Sequence, residues 1–235
     1  MADLQGEARA EYVQGMFTRI ARRYDLMNRL MTAGQDVRWR RTVIQQANLP
    51  EQGKFLDIGT GTGDIALEGL RRHPDLLAIG GDFTFEMMMV GKKDPKREGI
   101  KWTAADTLSL PFPANSFDAV TSGFLMRNVI DVPCALREQV RVTKPGGRLV
   151  ILESSPPKRN LLRPFIRFHL NYVIPILGHQ ITGDRDAYRY LPDSTQGFQS
   201  PESLADLMEQ NGLTGVIFQL FMFGTIAIHV GLKPK

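Results

Sequence analysis

Between Lys54 and Glu153 short, nearly continuous apolar runs alternate with helical stretches, and this alternation constrains the fold more than any other feature. Lys54–Gly59, Leu76–Phe83, Ile100–Ala105, Phe117–Phe124 and Arg148–Leu152 read as five strands. Helices are expected over Gly63–Arg72, around Met87, Met88 and Met89, and through Ala135–Val142, the last closed by Lys144-Pro145-Gly146-Gly147. A strand that is apolar on both faces must be covered on both faces. The pattern therefore predicts an α/β fold with a mostly parallel sheet between two helical layers.

The flanks are different. Residues 7–47 carry no strand signal and read as two or three helices. After Pro156-Pro157 comes an apolar run with scattered basic residues, Leu161–Gly178, interrupted by Pro164 and Pro175. A helix over Glu202–Asn211 and two strand-like runs, Gly215–Phe221 and Thr225–Leu232, follow. Their tight Phe223-Gly224 junction predicts an antiparallel pair that completes a seven-stranded sheet. The expected organisation is one domain: a helical cap (1–50), a nucleotide-binding core (51–155), a substrate lid (156–200) and a closing helix with two strands (201–235).

Composition removes several classes. Of 235 residues 43% are hydrophobic and 23% charged, which suits a globular chain and not a disordered or fibrous one. A single cysteine, Cys134, forms no internal disulfide, so a reducing, cytoplasmic setting is expected. The opening Met-Ala-Asp-Leu-Gln-Gly-Glu lacks the basic-then-apolar pattern of a secretory signal. No stretch reaches the ~18 apolar residues of a spanning helix. Net charge is +4, and its distribution is uneven. Residues 1–50 carry eight Arg against five acids, residues 155–200 six Lys or Arg against three, and the remainder 15 basic against 17 acidic residues. Two basic segments thus flank a mildly acidic middle.

Asp57-Ile58-Gly59-Thr60-Gly61-Thr62-Gly63 stands where the first strand turns into the first helix of that middle. Glycines let a ligand approach the backbone, and the helix start offers free N–H donors. The dinucleotide fingerprint would place its third glycine at position 64, which is Asp64 here. An acid two residues before the first glycine is poor company for a pyrophosphate and suits an ammonium. Asp82 ends the second strand, where a ribose-binding acid belongs, and Asp106 ends the third, where it can accept from an adenine amino group. Phe83 and Thr107 follow them and join the expected site with Asp57, Gly59, Thr60, Gly61 and Gly63. Three acids at the carboxyl edge of successive strands predict an adenosine bearing an amino acid and no phosphate, S-adenosylmethionine.

From about Phe17 to Lys233 the chain resembles class I S-adenosylmethionine methyltransferases, and within them the quinone C-methyltransferases of ubiquinone and menaquinone biosynthesis. The residues that carry this are Tyr24-Asp25-Leu26-Met27-Asn28 continuing to Trp39, Leu110-Pro111-Phe112 with Asn115-Ser116-Phe117-Asp118, Arg127-Asn128-Val129, Arg141-Val142 with Lys144-Pro145-Gly146-Gly147 and Glu153, Tyr188-Arg189-Tyr190-Leu191, and Ala227-Ile228-His229 with Lys233. The chain departs from the family pattern at Thr32 and Asp36, where Ser and His are usual. It departs again at Leu125-Met126, where Gly-Leu is usual, and at Thr143, which replaces an aliphatic residue.

The resemblance implies a Rossmann-like fold and methyl transfer to a ring carbon of a reduced, prenylated quinone, demethylmenaquinol first, with other quinols or lipid-like acceptors as alternatives. It assigns catalysis to Arg127, Asn128 and Tyr24. Arg127 stabilises the phenolate, Asn128 orients the quinol or a water, and Tyr24 bonds a ring oxygen. A surface ion pair for Arg127 and a packing role for Tyr24 are the structural alternatives. His73 and His229 read as structural, and His169 and His179 flank the apolar run. With no Cys/His cluster, no metal site is expected. Scattered arginines without interleaved aromatics argue against nucleic acid. The remaining expectations are a homodimer and peripheral contact with the inner face of a membrane through residues 156–180, with Arg163 and Arg167 towards headgroups.

Overall fold

A computed structural model of the protein describes residues 6–156, 164 and 172–235. Seven strands form one sheet: β1 (Lys54–Ile58), β2 (Leu77–Asp82), β3 (Lys101–Ala104), β4 (Phe117–Gly123), β5 (Thr143–Ser154), β6 (Thr214–Phe221) and β7 (Ile226–Leu232). Their order is β3-β2-β1-β4-β5-β7-β6. β1 pairs in parallel with β2 and β4, β2 with β3, and β4 with β5, while β7 runs antiparallel between β5 and β6. The strand order reverses at β1 and β4, so a crevice opens beyond their carboxyl ends, where ligands of such sheets bind.

The described helices are α1 (Gly6–Ile20), α2 (Tyr24–Met31), α3 (Asp36–Ala47), α4 (Asp64–Arg72), α5 (Phe85–Lys92), α6 (Val132–Val142), α7 (Ile174–Thr182), α8 (Arg185–Gln196) and α9 (Pro201–Gln210). On one face of the sheet Trp39, Val43 and Ile44 of α3 and Ile65 and Ala66 of α4 close over Phe55, Ala119, Val150 and Ile228. On the other, Ala135 and Leu136 of α6 and Leu204 and Met208 of α9 close over Leu56, Val120, Leu149 and Ile151. This two-sided covering is why β1 and β4 are buried along most of their length. A third cluster joins α1 and α2 to α8 through Met16, Ile20, Met27, Ala187 and Tyr188. Among the described residues, no helix is long and apolar enough to cross a membrane.

Two sequence readings shift. The α6 helix stops at Val142, and Thr143 already pairs with Phe117. Lys144-Pro145-Gly146-Gly147 is therefore the irregular start of β5 and not a separate stop, with the register shift between Phe117 and Ala119 absorbing Pro145 and the left-handed Gly146. In α5, Met87 and Met88 are buried but Met89 is exposed, because a single helical face cannot hold three consecutive residues. The Arg163 and Arg167 part of the lid, and His169, lie outside the described residues.

Candidate functional site

The glycine loop is built for close approach. Gly59, Gly61 and Gly63 all have positive φ, +67°, +58° and +91°. A Cβ on Gly59 would sit 2.9 Å from Leu125 Cδ1, and one on Gly63 2.5 Å from Trp102 Cη2. Larger residues are excluded by conformation and by space together. The Thr60 N–H donates to Gly81 O at 3.0 Å, and the Gly61 N–H donates to Asp82 Oδ2 at 2.7 Å, fastening the loop to the end of β2. Asp82 Oδ1 accepts from the Thr84 N–H, also at 2.7 Å. Burial raises the Asp82 pKa, and these two backbone donors oppose the shift.

Above the loop lies a cavity of about 510 Å³. Of the expected cofactor residues, Gly59, Gly61, Asp82, Phe83, Asp106 and Thr107 line it, with Met87 and Leu125. Asp57, Thr60 and Gly63 do not. Asp57 lies beneath the loop, 1% exposed, where it accepts from Thr60 Oγ1 and Thr121 Oγ1 at 2.7 Å each. Burial pushes its carboxyl up to about 6 despite those hydroxyls, and the nearby Asp82 charge adds to the rise. Its observed work is to hold the loop against β4.

The lining has a charge signature the motifs did not disclose. Glu7 and Glu11 of α1 join Asp82 and Asp106, and among the described residues no Lys or Arg lines the cavity. Such a wall repels phosphate and favours a cationic ligand. The helix α1 crosses the cavity as a roof: Gln14 Nε2 donates to Phe83 O at 3.1 Å, and Thr18 Oγ1 to Glu86 Oε2 at 3.0 Å. A lysine-free, acid-bearing face on α1 was the available sequence signal. Nearby, Thr62 Oγ1 donates to Asp25 Oδ1 at 2.6 Å, and Arg97 pairs with both Asp25 and Asp64, so α2 is tied to the loop's helix.

The three expected catalytic residues meet where this cavity adjoins a smaller one of about 130 Å³. Asn128 lines the larger, Arg127 the smaller, and Tyr24 and Phe124 line both. Phe124, directly after β4, is held at a left-handed φ of +56°, a costly conformation for a bulky residue and of the kind found at functional sites. Arg127 forms a buried ion pair with Glu153, not a surface one, and its backbone N–H donates to Glu153 Oε2 at 3.2 Å. The guanidinium also lies 5.1 Å from the Phe124 ring centre. Asn128 is clamped: its Nδ2 donates to Phe124 O at 2.9 Å and its Oδ1 accepts from the Tyr190 hydroxyl at 3.1 Å. Burial raises the Tyr24 pKa, which keeps the phenol protonated and a donor. Thr32 and Asp36, two departures from the family pattern, both line the smaller cavity. They are bonded to each other at 3.1 Å, and Arg40 completes the group at 2.6 Å from Asp36.

Sheet order, glycine loop and acid-lined crevice define a Rossmann-like nucleoside-binding enzyme. The chain belongs to the ubiE/COQ5 methyltransferase family, whose model matches residues 5–233. It is an S-adenosylmethionine-dependent methyltransferase. The ubiquinone/menaquinone biosynthesis C-methyltransferase UbiE of Desulfotalea psychrophila is 49% identical over 94% of this chain and 90% of its own length. The demethylmenaquinone methyltransferase of Roseiflexus sp. is 42% identical over 97% of this chain and 95% of its own. Among solved structures, phosphoethanolamine N-methyltransferase 2 of Haemonchus contortus, in complex with S-adenosylhomocysteine, shares the fold at a TM-score of 0.64. It is 14% identical, over 87% of this chain and 57% of its own.

Proposed function

We propose that the protein methylates a ring carbon of a reduced, prenylated quinone, with demethylmenaquinol as the leading acceptor. The observation that carries this reading is the junction of an acid-lined, phosphate-repelling cavity with a second, partly apolar cavity where Arg127 and Tyr24 meet. Family membership and the names of the full-length relatives support it.

Bound S-adenosylmethionine supplies an electrophilic methyl group. Asp82 and Asp106 suit its ribose and adenine, and the acids of α1 suit its positive charge. Gly59 and Gly61 let it approach the backbone. The chain's other task is to make a ring carbon nucleophilic, which requires the neighbouring hydroxyl to lose its proton. Arg127 cannot act as base, because a guanidinium does not deprotonate. Fixed by Glu153, it stabilises phenolate charge and positions a water through which the proton is passed out to solvent. Tyr24 donates to a ring oxygen. Asn128, clamped by Tyr190, sets the face of the ring, and the α1 roof excludes bulk water.

Leu125, packed against Gly59, narrows the acceptor side and favours testing other quinols beside demethylmenaquinol. Incubation with labelled S-adenosylmethionine and a panel of quinols decides. Methylation of a quinol but not of its oxidised quinone supports the reading, and binding without transfer to any acceptor overturns it.

Peripheral membrane contact belongs to the same proposal. Leu26 and Leu30 of α2 and Ile176 of α7 are exposed apolar residues on helices that pack together, beside exposed Arg22, Arg23 and Arg29. Salt-sensitive flotation with anionic vesicles supports it, and no flotation removes it. Light scattering settles the proposed homodimer.

A further inference from the structure

Tyr24 and Asp25 open α2, a helix of eight residues whose start has no side-chain cap. A helix this short does not hold itself in place; its contacts do. On one side Met27 is buried in the cluster with α1 and α8. On another, Asp25 reaches the glycine loop: Thr62 Oγ1 donates to Asp25 Oδ1 at 2.6 Å, and Arg97 Nη2 donates to Asp25 Oδ2 at 3.1 Å. Thr62 is buried and stands between Gly61 and Gly63, so its hydroxyl moves with the loop. Arg97 also pairs with Asp64, the first residue of α4, and Asp64 Oδ2 lies 2.8 Å from Arg40 Nη1. Arg40 lines the smaller cavity and is 2.6 Å from Asp36. A continuous chain of charged contacts therefore joins the loop under the larger cavity to the wall of the smaller one. Asp25 is the member of that chain next to Tyr24. Consecutive helical residues point about 100° apart. With Asp25 held to the loop, Tyr24 is turned into both cavities, its ring edge-on to Phe17 at 5.8 Å.

We propose that Asp25 is the positioning residue for Tyr24: its bond to Thr62 ties the Tyr24 hydroxyl to the loop that carries the methyl donor, and so sets the distance between acceptor ring and methyl group. This rests on the reading that Tyr24 donates to a ring oxygen, and deepens it. Asp25 itself lines neither cavity, so it acts through its neighbour. Without it α2 loses its anchor on the loop, and a displacement of about 1 Å at the reacting groups is enough to cost up to about 100-fold in rate. The loop does not lose its own support, because Thr60 remains bonded to Gly81 and Gly61 to Asp82. Removing Asp25 strands no charge either, since Arg97 keeps Asp64 and Asp94.

The experiment is a double-substitution cycle in the full chain, with S-adenosylmethionine and the quinol that wild type methylates. Asp25→Ala should lower kcat roughly 10- to 100-fold and leave both KM values unchanged, the signature of an interaction that counts only in the transition state. Asp25→Asn, whose Oδ1 still accepts from Thr62, should recover most of that loss. The decisive readout is the pairing with Tyr24→Phe: if Asp25 acts through the Tyr24 hydroxyl, Asp25→Ala should cost almost nothing further in the Tyr24→Phe background. Should Asp25→Ala not fold, Thr62→Val breaks the same bond from the loop side and goes through the same cycle. An unchanged kcat, or the same fold-loss in both backgrounds, overturns the positioning role and leaves Asp25 a structural tie. Tyr24→Phe with wild-type kcat overturns the role of Tyr24, and wild type that methylates no quinol overturns the acceptor reading; either takes this inference with it.

Discussion

The Asp82 carboxylate accepts a 2.7 Å hydrogen bond from the Gly61 N–H, so the acid that ends the second strand also sets the height of the glycine loop. One side chain therefore serves both the loop and the expected ribose position.

Asp82→Asn tests that double duty. Asn has one acceptor oxygen where Asp82 uses two, so its Nδ2 must face the N–H of either Gly61 or Thr84. Charge-assisted bonds of this kind contribute roughly 1.5–3 kcal/mol. Affinity for S-adenosylmethionine measured by calorimetry should fall roughly 10- to 100-fold. An unchanged affinity would remove Asp82 from the cofactor site.

Arg127 and Glu153 separate chemistry from stability. Arg127→Ala should abolish turnover and spare cofactor binding. It also strands a buried carboxylate, and breaking a buried pair in this way costs about 3–5 kcal/mol. The double substitution R127M/E153L should recover most of that stability in denaturant titration and none of the turnover. Recovered turnover would show that Arg127 only holds the fold.

The pH dependence of folding should carry the mark of Asp57. Its pKa is raised in the folded protein to about 6, above the ordinary value of 3.8. The folded state therefore holds the proton more tightly than the unfolded chain does. Raising pH from about 3 to 7 should remove roughly 3 kcal/mol of stability through this group alone, about 2 of it between pH 4 and 6. Asp57→Asn keeps the shape, and either hydroxyl can turn to accept from the amide. It should flatten this slope, and an unaltered slope would place the titration elsewhere.

Gly63→Ala combines two penalties: a left-handed backbone at φ +91° and a methyl 2.5 Å from Trp102. Together they should cost about 2–4 kcal/mol by thermal denaturation. A loss below about 1 kcal/mol would mean that the Trp102 ring moves aside freely.

The strands and their loop were legible because they depend on local pattern. The apolar runs of β1 and β4 and the antiparallel ending of β6 and β7 all follow from burial and turn signals. Asp82 and Asp106 were legible from their place at strand ends. Asp57 was not, since its partner Thr121 is 64 residues away and turns a motif acid into an internal brace. Glu153 stood within a recognised signature, yet nothing local said that it would neutralise Arg127. Glu7 and Glu11 look like ordinary solvated residues until α1 folds across the cavity.

The helix α1, pinned at its Gln14 and Thr18 contacts, has a kinetic consequence. A ligand lying on the glycine loop lies beneath that helix, so its exchange is expected to require α1 to lift. On that expectation each cycle includes an opening event slower than a side-chain rotation, and the exchange of spent for fresh methyl donor can set the pace of turnover. Weakening the latch, for instance with Thr18→Ala, would quicken release while loosening the hold on the donor.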